Sequence, residues 1–187
     1  NGGGVYVGGG TFTMNDTASV KDNTASGDTA DQGNGGGVYV KSGEFNMNGN
    51  ASVSGNTATN TDPNNTTYGG GVYVHNGTFN MNGDASVSGN TAKNGGGVHV
   101  SGGGKFNMNG NASITGNTAN GVCVSAGASF TVSGKPTVTG NTGKSAAEDD
   151  ASNVYLNGGA YITIGKNGLT DGASIGVTKK KGVDNGV

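Results

Sequence analysis

Apolar and polar positions alternate in three short runs that recur along this chain. In the first copy Val5 and Val7 flank Tyr6, Phe12 and Met14 flank Thr13, and Ala18 and Val20 flank Ser19. Alternation with period two is the mark of a strand, whose successive side chains point to opposite faces. Gly and Asn separate the runs, so each copy predicts three short strands joined by turns.

The copies align on "GGGV". Their first valines are Val5, Val38, Val72 and Val98, continued by Val122 and Val154, with spacings of 33, 34, 26, 24 and 32 residues. From that valine to the residue closing the phrase "NTA" the distance is 20 in three copies and 21 in the next two. The stretch to the next valine then holds 12, 13, 5, 2 and 10 residues, so all the length variation falls at one corner of the unit. Three strands in about two dozen residues, repeated, predict an all-β chain: a parallel β-helix of six rungs, each strand pairing with its counterpart one rung on. The crossover preference makes it right-handed, and a rise of about 4.8 Å per rung gives a rod of roughly 30 Å. Residues 1–158 are read as rungs, 159–178 as a closing rung or cap, and 179–187 as a polar tail.

Composition changes the picture in one respect. Only 30% of the residues are hydrophobic and 41 are Gly, a mixture that without periodicity reads as disorder. Stacked repeats escape this, because each rung covers its neighbour's thin apolar layer and supplies its backbone hydrogen bonds. The net charge is −2, and all ten basic residues are Lys, which argues against a nucleic-acid partner. No apolar run approaches a membrane span, and no signal peptide is visible. The chain opens mid-phrase at "NGGGVYV", so further domains of a longer secreted parent are expected. A single Cys123 leaves no internal disulfide framework.

One ten-residue phrase recurs nearly verbatim: "GNASVSGNTA" at 49–58, "GDASVSGNTA" at 83–92 and "GNASITGNTA" at 110–119. In a stack its Asn23, Asn56, Asn90, Asn117 and Asn141 lie above one another, which predicts a structural asparagine ladder at a buried corner. Asp there would set like charges one rung apart, and Ala would leave turn backbone unpaired.

The order V-x-x-N-T-A, variable loop, G-G-G-V resembles the paired F-x-x-N and G-G-A-[ILV] repeats of the polymorphic outer-membrane-protein group of bacterial surface adhesins. Val20, Val53, Val87, Ile114 and Val138 stand where that group has Phe, and the third small residue is Gly instead of Ala. The chain also looks like adhesin-like repeats of large bacterial surface proteins. The resemblance covers roughly residues 1–158 and implies an extracellular, surface-displayed adhesin or stalk whose partner is a host or microbial glycan or protein.

Tyr6, Tyr39, Tyr73, His99, Cys123 and Tyr155 sit between inward valines and are expected to point outward as an exposed strip. Tyr offers a flat face and a hydroxyl, which suits sugar or protein recognition. Loop lengths place a saddle at the fourth and fifth rungs, floored by His99 and Cys123 and walled by Tyr68 and the acidic "AAEDD" of residues 146–150. Tyr39, Tyr68, Tyr73 and His99 are the candidate ligand-binding residues.

No catalytic residue is assigned. A polysaccharide-degrading β-helix, the alternative function, needs clustered carboxylates, yet the column holding Asp84 reads Thr17, Asn50, Asp84, Asn111, Lys135. Asp149 and Asp150 share one loop and read as solvated acids. No cofactor or metal is expected: His75 and His99 fall on different columns, and Asp28, Asp31 and Asp62 lack the glycine-aspartate nonapeptide of calcium-binding rolls. Gly143, Lys144 and Ser145 mimic the end of a Walker motif whose first glycine would fall at Val138. The column Thr24, Thr57, Thr91, Thr118 and Thr142 suggests ice binding only thinly, since corner threonines beside a ladder have a structural use.

Overall fold

The computed structural model describes residues 1–30, 32–142 and 153–179. Among them no helix forms, and every strand pair is parallel. The alternating runs become three stacked sheets. The valine face carries Val5–Val7, Val38–Val40, Val72–Val74, Val98–Val100, Val122–Val124, Val154–Leu156 and Val177–Lys179. The phenylalanine face carries Thr11–Met14, Glu44–Met47, Thr78–Met81, Lys105–Met108, Ser129–Gly134 and Ile162–Leu169. The serine face carries Ser19–Lys21, Ser52–Ser54, Ser86–Ser88, Ser113–Thr115, Thr137–Thr139 and Ser174–Ile175. The chain is a parallel β-solenoid of six turns, and the first strand of a seventh pairs at its end.

Register follows the repeat residue for residue. Val38 pairs Val72, Phe79 pairs Phe106, and Val87 pairs Ile114. Identical side chains therefore stack on themselves. Phe12, Phe45, Phe79, Phe106 and Phe130 form one column with ring centroids 4.8–5.3 Å apart and planes within 17°. Beside it run the buried columns Met47–Met81–Met108, Val40–Val74–Val100 and Val53–Val87–Ile114. Burying each such side chain contributes roughly 1.5–3 kcal/mol, which only a stacked neighbour on both sides secures in full.

One feature departs from the sequence reading. Each rung was read as three strands, yet Thr24–Gly27 and Thr57–Asn60 pair as a fourth short sheet, continued by single bridges from Thr57 to Thr91, Thr118 and Thr142. The threonine column thus belongs to the backbone ladder that follows the corner. The residues from 159 on keep the stacking pattern: Ile162 pairs Phe130, Ile175 pairs Val138, and Lys179 pairs Leu156, with a register shift between Val132 and Gly134. Residues 180–187 of the expected tail lie outside the described residues.

Candidate functional site

The corner asparagines form the expected ladder. Asn56, Asn90 and Asn117 are fully buried, and the Nδ2 of each donates to the Oδ1 of the next at 2.9 Å. Each Oδ1 also accepts the backbone N–H of the preceding asparagine, as Asn90 does from Asn56 at 2.9 Å. Nδ2 serves backbone carbonyls too: Asn90 reaches Val53 O at 3.1 Å and Ser88 O at 3.0 Å. Asn153, unforeseen, closes the column by accepting from Asn141 Nδ2 at 3.1 Å.

The glycine triplet is the ladder's counterpart. Only its first member needs positive φ: Gly35, Gly69 and Gly95 lie at φ 65°, 62° and 57°. The third member is required by space. A Cβ on Gly71 would lie 2.7 Å from Gly97 O and 2.9 Å from Asn90 Nδ2, and Gly37 meets Asn56 in the same way. The ladder amide occupies the room that a methyl group would fill.

The outward strip is the main correction. Tyr39 and Tyr73 are each 9% exposed, His99 and Cys123 4% and Tyr155 1%, whereas Tyr6 in the first rung is 51% exposed. These side chains do leave the rod core, since none joins the valine and phenylalanine columns, but loop returns and one another cover them. Tyr39 stacks on Tyr73 at 4.9 Å, and Cys123 packs with Tyr155 in a small cluster of its own. Alternation marked which residues share a side; it carried no information about what the loops lay over that side.

Tyr68 supplies part of the cover. It occupies the position before the glycine triplet that Asn1, Asn34 and Asn94 hold in other rungs. There Asn34 Oδ1 accepts Tyr68 N–H at 2.9 Å, and Asn1 Oδ1 accepts Asn34 N–H at 3.1 Å. With Tyr in place of Asn, a half-buried ring lies over its neighbours, 5.8 Å from Tyr73 and 4.6 Å from His99. The preceding loop is tied down at several points. Thr67 Oγ1 donates to Ala58 O at 3.0 Å and accepts Lys93 N–H at 3.1 Å, while Lys93 Nζ donates to Asn65 O at 2.7 Å and to Pro63 O.

The predicted saddle is therefore absent as drawn, because its floor, His99 and Cys123, is closed over. Residues 146–150, its other wall, lie outside the described residues, as do Asp31, Asp149, Asp150 and the Gly143–Lys144–Ser145 stretch. An open cavity of about 250 Å³ appears two rungs earlier, between the second and third rungs, lined by Ala30, Asn34, Tyr39, Lys41, Tyr68, Tyr73 and His75. Three of the four candidate ligand residues, Tyr39, Tyr68 and Tyr73, line it. His99 does not; it lies behind Tyr68 and Tyr73.

Lys41, His75 and Asn34 were missed as site residues. The first two lie just past strand ends, where periodicity gives no direction. His75 belongs to a polar triad: its Nδ1 lies 3.1 Å from Ser101 Oγ and 3.3 Å from Tyr73 Oη, with Ser101 Oγ 3.0 Å from the same hydroxyl. That leaves Nε2 as the ring nitrogen open to a ligand.

Behind this wall, burial makes the two most reactive side chains inert. Desolvation lowers the His99 pKa to about 3, so the ring is neutral. Its Nε2 lies 3.3 Å from Ser125 Oγ, and its Nδ1 has no hydrogen-bond partner among the described residues. Desolvation raises the Cys123 pKa to about 12, which withholds the thiolate a nucleophile needs. No group of three or more His, Cys, Asp or Glu converges among the described residues. No family model, curated protein or solved structure matches the chain.

Proposed function

We propose that this chain is a non-catalytic module of a bacterial cell-surface protein that spaces or adheres, and that it takes a glycan at the Tyr68 cavity. The observation that carries this reading is the division of labour within each rung. Core, ladder and glycine packing repeat with little change, while the one variable corner brings Tyr68 over the outward column and encloses a cavity of about 250 Å³. A scaffold conserving its geometry while one surface varies suits recognition on a rigid support. The resemblance of its V-x-x-N and GGGV phrases to surface-adhesin repeats supports the same reading, an extracellular location included.

Aromatic rings beside a hydroxyl, an imidazole and an ammonium are the usual furniture of a small polar-ligand site. The test is a glycan array probed with this chain and with Tyr68→Ala. Binding present in the parent and lost in the variant supports recognition at the cavity. Binding that survives the substitution moves recognition elsewhere, and no binding by either protein reduces the module to a spacer or a protein-binding surface.

A further inference from the structure

We infer that the Tyr68 cavity is selective for a single sugar ring bearing a carboxylate, a uronate or a sialic acid, with Lys41 as the residue that reads the charge. The inference rests on the glycan reading above and adds a ligand class to it.

Size comes first. About 250 Å³ falls below the 300–1,000 Å³ that hold drug-sized ligands, so the cavity fits one ring and not a chain. Charge comes second. Lys41, an exposed lysine, is the one charged side chain among the described lining residues and makes no ion pair with any of them, so its ammonium is available to a ligand. One cation matches one negative charge. A phosphate, near −2, is normally held by several cations or a nest of backbone N–H groups, which favours a carboxylate here.

The remaining groups fit a sugar rather than a simple acid. The half-buried Tyr68 ring offers an apolar face to the C–H side of a pyranose. His75, its Nδ1 held by Ser101 and Tyr73, keeps Nε2 for a ring hydroxyl. Tyr73 fixes His75 and is too buried to be a platform itself. Lys41 is exposed, so its pairing with a carboxylate is a solvent-screened contact that adds to the ring contacts and does not replace them.

The experiment is a calorimetric or NMR titration of the whole chain with methyl β-glucuronide, methyl α-sialoside, methyl β-glucoside and inorganic phosphate. Each is repeated with Lys41→Met and Tyr68→Ala, whose folds are checked by thermal melts. A carboxylate sugar should bind about tenfold tighter than the glucoside, and Lys41→Met should erase that margin while leaving the melt unchanged. Rising salt should narrow it as well. Which carboxylate sugar binds separates the uronate from the sialic acid.

Equal binding of glucoside and glucuronide, both lost in Tyr68→Ala, would overturn the carboxylate inference and leave the glycan site standing. Phosphate binding as tightly as the sugars would overturn the inference too. Sugar binding indifferent to Tyr68→Ala, or no sugar binding at all, would overturn both.

Discussion

This solenoid carries asparagine columns in two environments. At the buried corner, Asn56 Nδ2 donates to Asn90 Oδ1 at 2.9 Å; on the outer edge of the phenylalanine face, Asn82 Nδ2 donates to Asn48 Oδ1 at 3.0 Å. The amide–amide bonds differ by only 0.1 Å in length, but they run in opposite directions along the rod. The buried column's direction is set by backbone, because each Oδ1 must face the preceding rung to accept its N–H. The outer column, Asn15, Asn48, Asn82 and Asn109, is bonded side chain to side chain and lies close to water. Equal geometry therefore hides unequal worth: one column completes the turn's hydrogen bonding, and the other decorates it.

Four measurements test that contrast. Asn90→Ala should cost on the order of 3 kcal/mol in denaturant unfolding, because in a buried corner it strands Asn56 N–H and takes the amide donor from Val53 O. A cost below about 1 kcal/mol would break the comparison outright.

The second measurement is a pH series, extending the argument from polar to titratable groups. His99 has its folded pKa depressed to about 3 from 6.5, so the unfolded chain binds the extra proton between those values. Stability therefore falls as pH drops below 6.5, by about 1.4 kcal/mol per unit at most, and levels off below pH 3. His99→Phe should flatten that slope in melts at pH 7, 5.5 and 4; an unchanged slope would place the acid sensitivity elsewhere.

Gly71→Ala is third, at roughly 2–3 kcal/mol, since its methyl group must displace Asn90 or Gly97 O. Gly9→Ala, whose Cβ meets nothing within 4 Å, is its control. The smallest effect belongs to Asn82→Ala, within about 1 kcal/mol of the parent by the same denaturant assay. An Asn82→Ala loss equal to that of Asn90→Ala would show that outer ladders also hold the stack.

What was legible in the sequence follows the same division. Phe45 above Phe12, Val53 above Val20 and Asn56 above Asn23 were readable because a stack repeats its inward contacts at every rung. The fourth strand was less so, since Thr24 and Thr57 pair by backbone and leave no alternating apolar mark. Cover over Tyr39, Tyr73 and His99 was illegible, because it depends on the path of loops that differ between rungs. The saddle was therefore drawn two rungs beyond the cavity: the sequence singles out Tyr39, Tyr68 and Tyr73 of its lining, and passes over Lys41 and His75. Each of those two follows a valine strand, at a position where the polypeptide turns away from the repeat.

The bonds between rungs point along the rod, while the chain itself runs around it. Tension applied to the two termini would consequently peel rungs from the ends of the rod, opening one junction at a time as in an unzipping. Extension should proceed in unequal releases of 33, 34, 26, 24 and 32 residues, each lengthening the molecule by about 3.4 Å per residue freed. The loop at the variable corner would then act as a length store, setting how far the chain gives way before the next ladder amide takes the strain.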